Sequence, residues 1–228
     1  MPRTKMYALD IETTSQGKRA KDYTDNKYYE APKNIKDPEK IKANIEGQKK
    51  KAAEGHALKW YLGKVISVAL VGVHNDTRKV FYGHDEKKIL TELANELGMC
   101  KLIGKSSHTF DFPFLVGRYI ANKIPVPLVL KHRHHLLEID TFFGWSMSSG
   151  QRGRLAEYAH GAGLDGKLMN GADVPILYNK ILMTESTTGD IEEVNKMWKE
   201  IADYNLDDAD KTAEIAERYY TEEEIYAS

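Results

Sequence analysis

The stretch Gly63-Lys-Val-Ile-Ser-Val-Ala-Leu-Val-Gly-Val73 constrains the fold of this chain more than any other segment. An apolar run of this length is a buried strand. It falls far short of the ~18 apolar residues that a membrane span needs. The shorter run Lys79-Val-Phe-Tyr-Gly83 follows after His74-Asn75-Asp76, a turn sequence, so the two read as a hairpin.

What comes next alternates. Ile89, Leu90, Leu93 and Leu97 share one helical face within 85–97, and Gly98 is a natural stop. Cys100–Gly104 reads as a short strand, 111–122 as a helix, 135–142 as another strand, 154–162 as a helix, and 190–220 as a long final helix. Meandering strands followed by alternating helix and strand predict a mixed α/β sheet with helices on its faces. At 228 residues the chain is most simply one such domain.

One interval does not fit this pattern. Residues 14–62 are polar and Lys-rich, and Pro32 and Pro38 break them up. Within them, 37–57 suits a helix with Asp37 as its N-cap and Pro38 at the first helical position. Its apolar positions are few, so it is expected to lie over the domain surface as an insertion. Residues 14–60 carry 12 Lys or Arg against 7 Asp or Glu, whereas 191–228 carry 4 against 12. The basic excess fits either an anionic partner or a plain solvated face. The single Cys100 excludes an intramolecular disulfide and suits a reducing compartment; with no apolar leader in view, a cytoplasmic protein is expected.

The first strand, Met6-Tyr-Ala-Leu-Asp-Ile-Glu-Thr-Thr14, contains two carboxylates in an apolar setting. Asp-x-Glu occurs three times here, and the copies at Asp37 and Asp190 are explained by solvation and helix capping. Asp10 and Glu12 differ, because residues two apart in a strand share a face. Two like charges held side by side repel unless a cation or a shared proton lies between them. In the last helix the apolar stripe Ile191, Val194, Trp198, Ile201 runs on into Tyr204 and Asp208, so Asp208 falls on the core side while Asp207 and Asp210 lie further round. Asp111 precedes a helix that has Pro113 near its start, where an acid serves as a cap and can also reach an ion.

The three blocks Ala8-Leu-Asp-Ile-Glu-Thr-Thr14, His108-Thr-Phe-Asp-Phe-Pro-Phe-Leu115 and Tyr204-Asn-Leu-Asp-Asp-Ala-Asp-Lys-Thr212 resemble, in order and spacing, the three motifs of the 3′–5′ exonucleases with four acidic residues and a tyrosine. They are most similar to the proofreading domains of family-B DNA polymerases and their free-standing relatives. Arg154–Lys167 resembles the helix and Gly-Lys loop before the third motif. The resemblance spans about residues 4–13 and 63–220.

It implies a ribonuclease H-like fold, Mg²⁺ or Mn²⁺ as a pair of ions held by Asp10, Glu12, Asp111 and Asp208, and Tyr204 orienting the attacking water. It further implies a nucleic acid with a free 3′ end as substrate, single-stranded DNA above RNA, and replication or repair proteins as company. Four carboxylates without His or Cys suit these hard ions better than Zn²⁺. Asp203 stands where the sister group has a catalytic His, which favours the tyrosine branch.

Ser106 replaces an Asn common in the second motif, and the 14–62 interval exceeds the usual short connection. Candidate substrate contacts are Thr13, Ser106, Phe110 and Phe114, with Thr14 and Lys49-Lys50-Lys51 behind them; both Phe residues also suit a core. His132-Arg133-His134-His135 reads as a surface patch. An RNA or oligoribonucleotide exonuclease, or a non-catalytic nucleic-acid-binding module of the same fold, is the alternative.

Overall fold

β1 (Lys5–Ser15) runs antiparallel to β2 (Gly63–Val73), pairing Met6 with Val73 at one end and Ser15 with Gly63 at the other. The computed structural model describes residues 5–144, 153–164 and 169–226. β3 (Arg78–Tyr82) closes the expected hairpin on β2. On the other edge of β1, β4 (Cys100–Gly104) is parallel to it, and β5 (Leu136–Glu138) is parallel to β4. The five-stranded mixed sheet therefore has the order β3-β2-β1-β4-β5, with helices on both faces, in the ribonuclease H-like arrangement.

The helices are α1 (Lys18–Asn26), α2 (Pro38–Glu54), α3 (Glu86–Glu96), α4 (Asp111–Ala121), α5 (Asp140–Gly144), α6 (Leu155–Gly161), α7 (Val174–Thr187), α8 (Ile191–Tyr219) and α9 (Glu222–Tyr226). Strand alternation divides the core. Tyr7, Leu9 and Ile11 of β1, with Val68 and Leu70 of β2, pack against Leu90 and Leu93 of α3 and Leu115 and Tyr119 of α4. Met6, Ala8, Ala69 and Val71 face the other way, against Leu206, Ala209 and Ala213 of α8. Asp10 and Glu12 continue the second series and are turned toward α8 by period two alone.

β1 runs past the acids to Ser15, as β2 keeps pairing it. Two features depart from expectation. The strand expected at 135–142 is only Leu136–Glu138, after which the chain turns into α5. β4 stops at Gly104, whose carbonyl accepts from Ile139 N–H, so a longer β5 has no neighbour to pair with. His132–His135 lies in 3₁₀ turns rather than a strand, which lets the three His rings gather with centroids 4.2–6.1 Å apart.

Between β1 and β2, α2 forms as expected, with Asp37 accepting from Glu39 N–H at 2.9 Å and from Lys40 N–H at 3.3 Å. α1 precedes it and was not anticipated. Among the described residues no helix is long and apolar enough to cross a membrane.

Candidate active site

β4 pairs with β1 only over Lys5–Ala8, so the later part of β1 runs past its parallel neighbour with that edge of its backbone open. Asp111, the first residue of α4, fills the opening, and its buried carboxylate accepts the N–H of Ile11 and its own N–H. The expected cap role is thereby replaced: Phe110 is the N-cap and provides no side-chain cap. Asp111 instead ties the start of α4 to the strand that bears Asp10.

Opposite Glu12 the pairing register slips, because Glu12 faces Ser67 and Thr13 faces Val65, leaving Ile66 as an extra residue in β2. Such a bulge twists a strand and re-aims its side chains. Asp10 is part-buried, and Glu12 retains only 9% of its exposure. From the helix side come Tyr204 and Asp208, one turn apart and both buried, with the tyrosine hydroxyl donating to the Asp208 carboxylate. The other acids of α8 look away. Asp203 pairs with Lys199, Asp207 with Lys211 at 2.5 Å, and Asp210 receives two hydrogen bonds from Arg78 Nε and one, at 2.7 Å, from its Nη2.

The electrostatics follow from this crowding. Burial first, then the charges of Asp111, Glu12 and Asp208, hold the Asp10 carboxyl well above the usual carboxylate range, and a hydrogen bond from Asn205 pulls it partly back. Burial pushes Asp111 up to about 7, with Glu138 adding to the rise, while backbone N–H groups and Lys105 oppose it. Burial, and then the negative charges of Asp208, Glu12 and Asp10, raise the Tyr204 hydroxyl, so it stays protonated.

Sequence reasoning missed Asn205. Fully buried, it accepts from Ser67 Oγ at 2.7 Å and donates through Nδ2 to Asp10 Oδ2 at 2.7 Å. Ser67 is the one hydroxyl within the apolar run of β2, and that oddity was the available signal.

A second group also went unread. Asp140 accepts the Ser106 N–H at 2.6 Å and pairs with Lys105 at 2.9 Å, while Glu138 accepts the His108 N–H at 2.6 Å. This network fixes the loop from β4 to α4, and Ser106 there has φ of 55°, a left-handed conformation that Asn tolerates better than Ser.

The remaining candidates are placed as follows. Thr13 is buried, and its hydroxyl donates to Ala57 O at 2.8 Å. Ser106 Oγ is held by Lys105 at 2.5 Å. Phe114 is core, and half-buried Phe110 packs beside it with centroids 5.4 Å apart. Thr14 is buried, and Lys49–Lys51 lie on α2. Close to the tyrosine, the turn at Gly171–Asp173 passes so near that a Cβ added at Gly171 would stand 3.3 Å from the Tyr204 hydroxyl.

The donor set, four carboxylates with no soft ligand, is chemically suited to Mg²⁺ or Mn²⁺. Among the described residues, however, no group of three or more His, Cys, Asp or Glu is arranged to hold an ion as the protein stands.

No protein-family model matches the chain, and no curated protein matches it. Solved structures do match, among them the family B DNA polymerase from the hyperthermophilic archaeon Pyrobaculum calidifontis. Its TM-score is 0.54 at 16% identity, over 95% of this chain and 24% of the polymerase chain. The likeness is one of fold, and this chain spans about a quarter of that polymerase's length.

Proposed function

We propose that this protein is a metal-dependent 3′–5′ exonuclease of the tyrosine branch, releasing nucleoside monophosphates from single-stranded DNA ends. The observation that carries this reading is the meeting of Asp10, Glu12, Asp111 and Asp208 from three separate elements, with Tyr204 bonded to one of them. Nothing in packing alone calls for four acids at one place in a core. The expense of that arrangement, visible in the raised carboxyls of Asp10 and Asp111, is what divalent cations offset.

Asp10, Glu12, Asp111 and Asp208 would hold the ions, which when bound lower the pKa of an attacking water and neutralise charge on the departing 3′ oxygen. The protein's own part is positional. Asn205 fixes one oxygen of Asp10 and leaves the other free to ligate. Tyr204, protonated throughout the neutral range, orients a water by hydrogen bonding and is excluded as its base. The Ile11 N–H holds Asp111 against β1, beside the residue that follows Asp10.

That no three of the described acids are arranged to hold an ion as they stand favours one second reading, a nucleic-acid-binding domain that keeps the fold without turnover. One experiment separates the two. Matched 5′-labelled single-stranded DNA and RNA are incubated with Mg²⁺, Mn²⁺ or chelator, alongside Asp208→Ala and Asp10→Asn. A metal-dependent ladder shortening from the 3′ end, absent in both variants, is expected, and it is expected to be stronger on DNA. A ladder retained in the variants would sink the assignment, and binding without a ladder would establish the second reading.

A further inference from the structure

The residues between β1 and β2 bury very little of themselves. α2 has no buried residue, and α1 buries only Ala20 and Thr24. The ends of the segment are nevertheless fastened to the candidate site. Thr13, next to Glu12, holds Ala57; Gln16 N–H donates to Leu62 O at 2.8 Å; Arg118 Nη1 donates to Trp60 O at 2.9 Å. Trp60 lies so close on α4 that a Cβ added at Gly117 would come within 2.5 Å of its ring. The helix that starts with Asp111 is thus the floor on which this segment rests.

On that floor sits a file of aromatic rings open to solvent. Trp60 is 44% exposed, Tyr61 38% and Tyr23 47%. Trp60 meets Tyr61, and Tyr61 meets Tyr23, each pair edge to face with centroids 5.7 Å apart. Past Tyr23 an open groove is lined by Asp22, Asn26 and Lys27. Three touching rings left in water are not a product of folding economy, and contiguous exposed patches of this kind mark interaction surfaces. The segment around them has 12 basic against 7 acidic residues over 14–60.

Exposed aromatic rings in a basic segment are the chemistry that binds single-stranded nucleic acid, with bases stacking on the rings and phosphates meeting the lysines. An acidic protein partner could also use such rings, and the binding of an oligonucleotide separates the two. We propose that Tyr61 and Tyr23, with Lys27 beyond them, form a track on which the strand leading away from the carboxylates stacks. This rests on the exonuclease reading for its direction.

From Asp10 to Ser15, which pairs with Gly63 just after Tyr61, is five residues of strand, or about 17 Å. That rise is several times the ~3.4 Å advance of a stacked nucleotide, so a mononucleotide substrate reports on the carboxylates and not on the rings.

The test compares wild type with Tyr23→Ala/Tyr61→Ala, both partly exposed positions, and with Lys27→Glu as a variant that leaves the rings intact. Substrates are a p-nitrophenyl ester of thymidine 5′-monophosphate, which reads the carboxylate centre alone, and an oligothymidylate of about 12 nucleotides. Binding of the same oligomer, fluorescently labelled, is measured by anisotropy in chelator. The expected result is unchanged ester hydrolysis, with oligomer affinity and kcat/KM lowered about tenfold in the tyrosine variant, and weaker binding with a shallower salt dependence in Lys27→Glu. Equal binding of the oligomer by wild type and both variants overturns the track whatever the cleavage data show. Failure of wild type to bind the oligomer overturns it in favour of a protein-facing surface. Variant-sensitive binding without hydrolysis of either substrate overturns the exonuclease reading and leaves the track standing.

Discussion

Replacing Asp111 by Asn removes a charge that the folded protein accommodates at a cost. Its carboxyl rises from the usual 3.8 to about 7, chiefly by burial. A carboxyl raised on folding stabilises the native state below the unfolded pKa, where it is protonated in both states. That contribution is lost as pH climbs through about 7. The shift is about three pKa units at about 1.4 kcal/mol each, so wild type forfeits about 4 kcal/mol between pH 4 and pH 8 through this group. That is a large part of a typical total of ~5–15 kcal/mol.

Asn mimics the neutral acid and can still accept the Ile11 N–H. In chelator, urea unfolding should therefore give equal stabilities for wild type and Asp111→Asn near pH 4, and a variant more stable by up to about 4 kcal/mol at pH 8. Millimolar Mg²⁺ or Mn²⁺ should stabilise wild type at pH 8 and help the variant much less. A difference between the two proteins that stayed constant across pH, or a variant less stable at pH 8, would refute the reasoning.

Asn205→Ala leaves Ser67 Oγ without its partner and Asp10 without its donor. It should cost about 1–3 kcal/mol and weaken Mn²⁺ binding about 10–100-fold by calorimetry; unchanged affinity would count against a positioning role. Glu86 and Arg118 form a buried ion pair with contacts of 2.6 and 2.8 Å, and Glu86 also accepts from Val65 N–H and Asn122. Glu86→Ala should therefore lower stability by about 3–5 kcal/mol, while Glu86→Gln with Arg118→Met should cost much less; a single variant losing under about 1 kcal/mol would contradict this. Burial pushes the Cys100 thiol up to about 12, so it should react with a disulfide reagent only after unfolding, and rapid reaction of the native protein would disprove it.

The sequence by itself made β1 to β4 and the helices α2, α3, α4, α6 and α8 legible, with the direction of their side chains, whereas α1 and α7 were not read from it. Period two placed Asp10 and Glu12 on one face of a strand, and period 3.6 put Tyr204 and Asp208 on the inner side of a helix, because both rules act within a single element. Caps at Asp37 and Asp190 were local for the same reason.

What the sequence could not carry was pairing between elements. That β4 ends at Gly104 shortened β5 and turned Asp140 back toward Lys105 and Ser106. That β1 outruns β4 gave Asp111 a backbone N–H to bind in place of a helix cap. The bond from Asn205 to Asp10 spans 195 positions, and the bulge at Ile66 exists only against Glu12. Tyr23 and Tyr61 look like scattered aromatics in a polar interval until the insertion folds onto α4 and sets their rings in contact. A side chain's direction is fixed by its own backbone, but the company it keeps is fixed by register and crossing, which only the assembled sheet and helices decide.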